Sequence, residues 1–243
     1  MSLSVFRETF CRKSGFKKIN PDKKYKDIFR DFLSEVDPIR FKEPFAETLG
    51  VFKKEDTVLM YSYIDVVKMA GHACPTTAGA FLCCREALKK LYPDEIPIRG
   101  DISIKIHGEP DEGVYGVIGQ VFTLLTGAAP ASGFRGLGHK FRRKDLLRFC
   151  LNKNDPNTLS FDFKRLDNNR TVCVTYHPDK IPFAREKAQR LGELLEKVVW
   201  EAAKKDEKIE FQNLWMGKVR DMLIEEKEMK RWIKIREEGE KDV

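Results

Sequence analysis

The chain has 243 residues, 42% of them hydrophobic and 34% charged, a globular composition with length enough for one large domain or a core with extensions. No apolar run reaches the ~18 residues that a membrane-spanning helix needs. A net charge of +7 raises nucleic acid as a partner, but Lys and Arg are interleaved with Asp and Glu, and clusters such as Lys17-Lys18 and Arg142-Arg143-Lys144 are short, which points to a solvated surface instead.

Six cysteines lack framework spacing, and Cys83 and Cys84 are adjacent, a usage that suits a reducing compartment. The first residues, MSLSVFRETFCRKSGFKK, carry no continuous apolar stretch of the signal-peptide kind. The expected location is cytoplasmic. Residues 1–45 read as a basic, aromatic extension. Within them Ile28, Phe29, Phe32, Leu33 and Val36 recur at helical spacing and predict one apolar stripe, closed by Pro38. Glu43 to Leu49 predicts a further short helix ended by Gly50.

From Thr57 to Ala70 only Asp65 and Lys68 are charged, and the run is too long for a typical strand, so helix is expected from Tyr61 onward. Asp65 and Lys68 are three apart and could pair on its surface; a role for Asp65 in a site is the alternative. Gly71 can take the left-handed conformation that ends helices. Then comes Gly71-His72-Ala73-Cys74-Pro75-Thr76-Thr77-Ala78-Gly79, around which the chain is organised. Pro75 suits the first turn of a helix that continues to Leu91. Cys74 thus lies at a helix N-terminus, where unpaired N–H groups and the dipole favour a thiolate. A thiolate two residues from an imidazole makes half of a zinc-type site. A capped helix with a buried Cys and a hydrogen-bonded His is the alternative. Gly79 inside the helix implies close approach of another backbone. Cys83 and Cys84 are too far along it to reach an ion at its start.

Tyr63 to Leu91, YIDVVKMAGHACPTTAGAFLCCREALKKL, resembles the FmdE family, which takes its name from the molybdenum formylmethanofuran dehydrogenase operon. The resemblance spans roughly residues 45 to 178. It implies an α+β domain that binds a metal, usually taken as zinc, through the His and Cys of Gly-His-x-Cys-Pro. The family name gives operon context, not an activity. Many members carry a further Cys and an Asp before the apolar segment that ends in Thr-Gly. Here Gly113 to Gln120 holds no Cys, and Gln120 stands about where the Asp would be. Only His72 and Cys74 therefore carry over.

Ile102, Ile104 and Ile106 alternate with Ser103, Lys105 and His107 and predict a half-buried strand. The acidic loop Gly108 to Gly113 follows, then an apolar helix from Val114 to Leu125 packed closely through Gly116 and Gly119. His107 is the first choice for a third metal ligand, since imidazole suits zinc and consecutive elements are commonly adjacent. His139, Glu109 and Asp111 come next, and a satisfied strand-end histidine is the alternative for His107. The glycines of the loop Ala128 to His139 fit neither GxGxxG nor the Walker pattern, so no nucleotide site is assigned. Lys144 to Leu151, Ser160 to Leu166 and Thr171 to Tyr176 predict three strands, with hairpin turns at Asn154–Asn157 and Asp167–Asn169. From Pro182 to the end a charged helical region is expected, frayed after residue 225, with Trp200, Trp215 and Trp232 offering a dimer contact.

The expected fold is α+β: a mainly antiparallel sheet covered by helices on one face, in the order helix, strand, helix and three strands, with N- and C-terminal helical extensions. The expected division is 1–45, 46–178 and 179–243. Three functions stay open: a zinc-binding protein, including a metal-dependent enzyme acting on a small molecule; a non-enzymatic metal carrier or accessory partner of a redox enzyme; and a Cys74 thiol enzyme without metal. The candidate metal residues are His72, Cys74 and His107. A homodimer is expected, with no membrane and no nucleic acid as partner.

Overall fold

Two periodicities, 2 on the strands and 3.6 on the helices, decide which side of each element is buried. The computed structural model describes residues 28–150, 158–226 and 228–239. In chain order the elements begin with α1 (Phe32–Glu35), β1 (Ile39–Lys42), α2 (Pro44–Thr48) and β2 (Val58–Tyr61). Then come α3 (Tyr63–Ala70), α4 (Pro75–Leu91), β3 (Ile102–His107) and α5 (Tyr115–Thr126). A small hairpin of β4 (Gly136–Leu137) and β5 (Phe141–Arg142) precedes β6 (Leu147–Cys150), β7 (Leu159–Arg165) and β8 (Thr171–Tyr176). The last elements are α6 (Arg185–Val199), α7 (Lys205–Leu223), α8 (Met229–Trp232) and β9 (Ile233–Glu237).

The fold is α+β. Its main sheet has five strands in the order β6-β3-β7-β8-β9. Only the β3–β6 pair is parallel, with Ile104 opposite Leu147; the rest of the sheet is antiparallel. Ile102, Ile104, Ile106, Phe161, Phe163, Val172, Val174 and Tyr176 share the buried face with apolar residues of α4 and α5. Ser103, Lys105, His107, Asp162 and Cys173 fall on the other face by alternation and are not buried.

Close packing on the helical face explains two of the glycines. A Cβ at Gly79 would lie 2.4 Å from the Tyr176 ring, so the close approach expected here is made by a side chain and not by backbone. A Cβ at Gly119 would lie 2.8 Å from the Phe149 ring. A buried charge cluster then fastens the N-terminal segment to this layer. Arg143 donates to Glu43 at 2.6 Å, and Arg99 donates to Glu43 at 2.9 Å while its Nε and Nη2 cap the C-terminal carbonyls of Leu125 and Leu124.

Several expectations are corrected. Val58–Tyr61 is a strand paired with Ile39–Lys42, and the helix begins only at Tyr63 because Ser62 and Asp65 cap it there. Leu147–Cys150 does not form a hairpin with β7. It returns on the far side of β3 and runs parallel to it, as the long crossover through α5 allows. The expected turn at Asn154–Asn157 lies outside the described residues, as does most of the N-terminal extension. The turn at Asp167–Asn169 is present, with Asn169 left-handed at φ 61°. The C-terminal region does not stay helical: Ile233–Glu237 adds an antiparallel strand to β8. Its alternating Ile and Lys or Arg residues give a short, charged edge strand.

One apolar cluster contains Phe32 and Phe41, the sheet and α4, and also Val219, Met222, Trp232 and Ile233. The core therefore runs across both expected division points. No helix among the described residues is long and apolar enough to cross a membrane.

Candidate functional site

Residues 71 to 74 form a tight turn between two capped helices. Gly71 ends α3 in the left-handed conformation, φ 73°, with its N–H donating to Val67 O at 2.8 Å. Cys74 is the N-cap of α4 and Pro75 opens the helix. The cap uses sulfur: Thr77 N–H donates to Cys74 Sγ at 3.4 Å, and Cys74 N–H donates back to Thr77 Oγ1 at 3.1 Å. Thr77 Oγ1 lies 2.8 Å from the Tyr63 hydroxyl, so a buried polar chain runs from α3 to the thiol. Burial pushes the Tyr63 phenol well above its ordinary value, and it stays protonated. Cys74 is only 8% exposed.

His72, by contrast, is exposed. Its Nδ1 lies 2.9 Å from Ala70 O. A carbonyl can only accept, so Nδ1 carries the proton, and in the neutral ring Nε2 is the lone-pair donor. The residue between the two candidates is also held. Trp215 Nε1 donates to Ala73 O at 2.8 Å, a link from α7 across 142 positions of sequence. Nothing local in the chain marks Trp215 as a partner of this turn.

The other candidates lie elsewhere. Asp65 is the capping partner of Ser62, accepting from its backbone N–H at 2.9 Å and from Lys68 Nζ at 3.0 Å. That places it at the opposite end of α3 from Gly71. His107 lies on the sheet face away from the helices. Its Nε2 is 2.8 Å from Asp162 Oδ2 and its Nδ1 is 3.5 Å from Cys150 Sγ. Both ring nitrogens are thus engaged across neighbouring strands, and the sheet separates them from the α3–α4 turn. The thiol beside His107 is that of Cys150, not Cys74. His139 and Asp111 are exposed on separate loops, and Glu109 is half-buried. Among the described residues no three His, Cys, Asp or Glu side chains gather in a metal-binding group. His72 and Cys74 supply donors of the right chemistry for zinc, but His107 does not join them.

A cleft of about 1100 Å³ lies between α5, the loop 128–133 and β6. Gln120 and Thr123 line it from α5, Leu147 and Phe149 from β6, and Met69 from the last turn of α3. Gln120 thus faces a cleft. At Asp145 it meets a second hollow of about 690 Å³, lined by Arg135, His139, Arg142 and Lys144. Sequence patterns revealed neither: the walls of the first come from segments distant in the chain, and the second, lined within residues 135–145, carries no recognised motif. No protein-family model and no curated protein matches the chain.

Proposed function

We propose that this is an FmdE-type protein that binds a divalent metal ion, zinc in the first instance, through His72 and Cys74. The observation that carries the reading is the hydrogen bond from His72 Nδ1 to Ala70 O. Metal-ligating histidines commonly fix their tautomer in this way, so that the other nitrogen is presented to the ion. Cys74 supports it, since its sulfur, a zinc-type donor, is held two residues from His72 at the N-cap of α4. Two protein donors leave the remaining zinc positions to water, substrate or a partner protein. That suits a carrier or an open centre and not a closed structural site. When bound, the ion would supply Lewis acidity; the chain's own part is to hold the two donors on one turn, fastened by Thr77, Trp215 and the helix caps.

The test is zinc content and chelator competition. Cys74→Ser retains an oxygen to accept the Thr77 N–H, so it separates ligand loss from cap loss. We expect about one zinc per chain, a loss of at least ~10-fold in affinity in Cys74→Ser and in His72→Ala, and no change in His107→Ala. A wild-type protein that takes up no zinc would sink the proposal.

The proposed setting is cytoplasmic, in keeping with cysteines that lack framework spacing. We also propose a homodimer, but through a smaller surface than three tryptophans suggest. Trp232 is buried in the core and Trp215 is tied to Ala73, whereas Trp200 is 75% exposed beside exposed Leu195 and Val199. Light scattering is expected to give twice the chain mass, reduced to the monomer by Trp200→Glu.

A further inference from the structure

The cleft beside α5 and the basic hollow that adjoins it are unlike one another, and the difference is informative. The first is walled by Met69, Leu124, Pro130, Leu147 and Phe149, with Gln120 and Thr123 among its few polar groups. Its volume is at the upper end for small-molecule sites. The second presents Arg135, Arg142 and Lys144 against a single carboxylate, Asp145. That carboxylate is already taken by Arg142. Among the described residues neither Arg135 nor Lys144 has a carboxylate in salt-bridge range, so this hollow carries positive charge that the described residues do not neutralise.

Asp145 sits where the two hollows meet. Its backbone is left-handed, φ 67°. In that conformation its carboxylate holds Arg142, and its carbonyl accepts from Arg148 Nε at 3.1 Å. Arg148, exposed on β6, is itself one of the residues lining the apolar cleft. The hairpin that carries the cations is anchored from beneath. Arg143 N–H donates to Arg135 O at 3.0 Å, and the Arg143 side chain is buried on Glu43. An apolar cleft beside a cationic hollow is the shape of a site for an amphipathic anion.

We propose that the two hollows together bind a small molecule with an apolar body and an anionic end group, phosphate or carboxylate. The body lies in the cleft between α5 and β6, and the end group meets Arg135, Lys144 and Arg148. The site is independent of zinc at His72 and Cys74.

The test uses two fluorescent probes that share an aromatic body. 8-Anilinonaphthalene-1-sulfonate is anionic, and N-phenyl-1-naphthylamine is not. Wild-type protein is expected to bind the sulfonate saturably at one site, more weakly as salt is raised. The double variant Arg135→Ala/Lys144→Ala is expected to lose about tenfold in affinity for the sulfonate and to keep its affinity for the neutral probe. Ala131→Trp, at an exposed wall of the cleft, should exclude both. Decyl phosphate and decanoate then compete for the bound sulfonate, and the stronger competitor identifies the end group. Circular dichroism checks that the variants fold as wild type. Sulfonate binding that is unsaturable, or unchanged in both variants, or displaced by neither competitor, overturns the proposal.

Discussion

Asp65 shows how a single carboxylate can be fully occupied by local structure. Burial raises its pKa, but the hydrogen bonds from the Ser62 hydroxyl and backbone and from Lys68 outweigh this and hold it below the ordinary value. A carboxyl depressed in the folded state stabilises the fold above its unfolded pKa, and that contribution is lost as pH falls through the folded value. The loss begins near the ordinary 3.8 and is complete only below the lowered value. Asp65→Asn is therefore expected to be less stable than wild type at neutral pH, with the gap closing as the pH falls below 3.8. Urea midpoints across that range check it, and a constant gap would mean that the charge of Asp65 is not what caps α3. The same residue was legible in the sequence as a surface partner of Lys68 or, alternatively, as a site residue, and not as a cap. Its capping role depends on where the helix starts, and Ser62 decides that.

At the scale of elements, α4 links the candidate site to the sheet. Its N-terminus carries Cys74, and its second turn presses Gly79 onto Tyr176, whose hydroxyl in turn donates to Pro75 O at 3.2 Å. Any side chain at position 79 must push the buried ring away and loosen that bond. Gly79→Ala would gain in helix propensity if the helix stood alone, but overpacking a full core costs about 1–3 kcal/mol. We expect net destabilisation on this scale in chemical denaturation, and Gly79→Ala/Tyr176→Phe, which frees the hydroxyl end of the ring, should recover part of it. A stabilised Gly79→Ala would show that the ring moves freely.

At the scale of the whole molecule, the chain closes on itself. β9 pairs with β8 from Tyr176↔Ile233 to Val172↔Glu237, and Trp232 packs edge-on against Tyr176 with ring centroids 6.0 Å apart. α7 supplies Val219, Met222 and Leu223 to the core and Trp215 to the turn at Ala73. The described residues after 178, the division expected from the sequence, are consequently part of the fold. Truncation after residue 178 is expected to give an unfolded or aggregating product, because it bares Tyr176 and the edge of β8. A truncated chain with a cooperative thermal transition would show instead that 46–178 stands alone.

The sequence alone determined the turn from Gly71 to Pro75, the burial of the alternate isoleucines of β3, the β7–β8 hairpin and the mixed α+β class. These are local matters: a left-handed glycine, a proline at a helix start and a period of two act over a few residues. Tertiary structure decided what lies opposite what. It set β6 parallel to β3, turned the charged tail into a fifth strand, placed His107 on Asp162 and Cys150, and brought Trp215 to Ala73. It also joined an apolar cleft to a basic one. Each of these pairs residues from elements that no local rule connects. Which partner a strand edge or an indole finds depends on how the whole core closes.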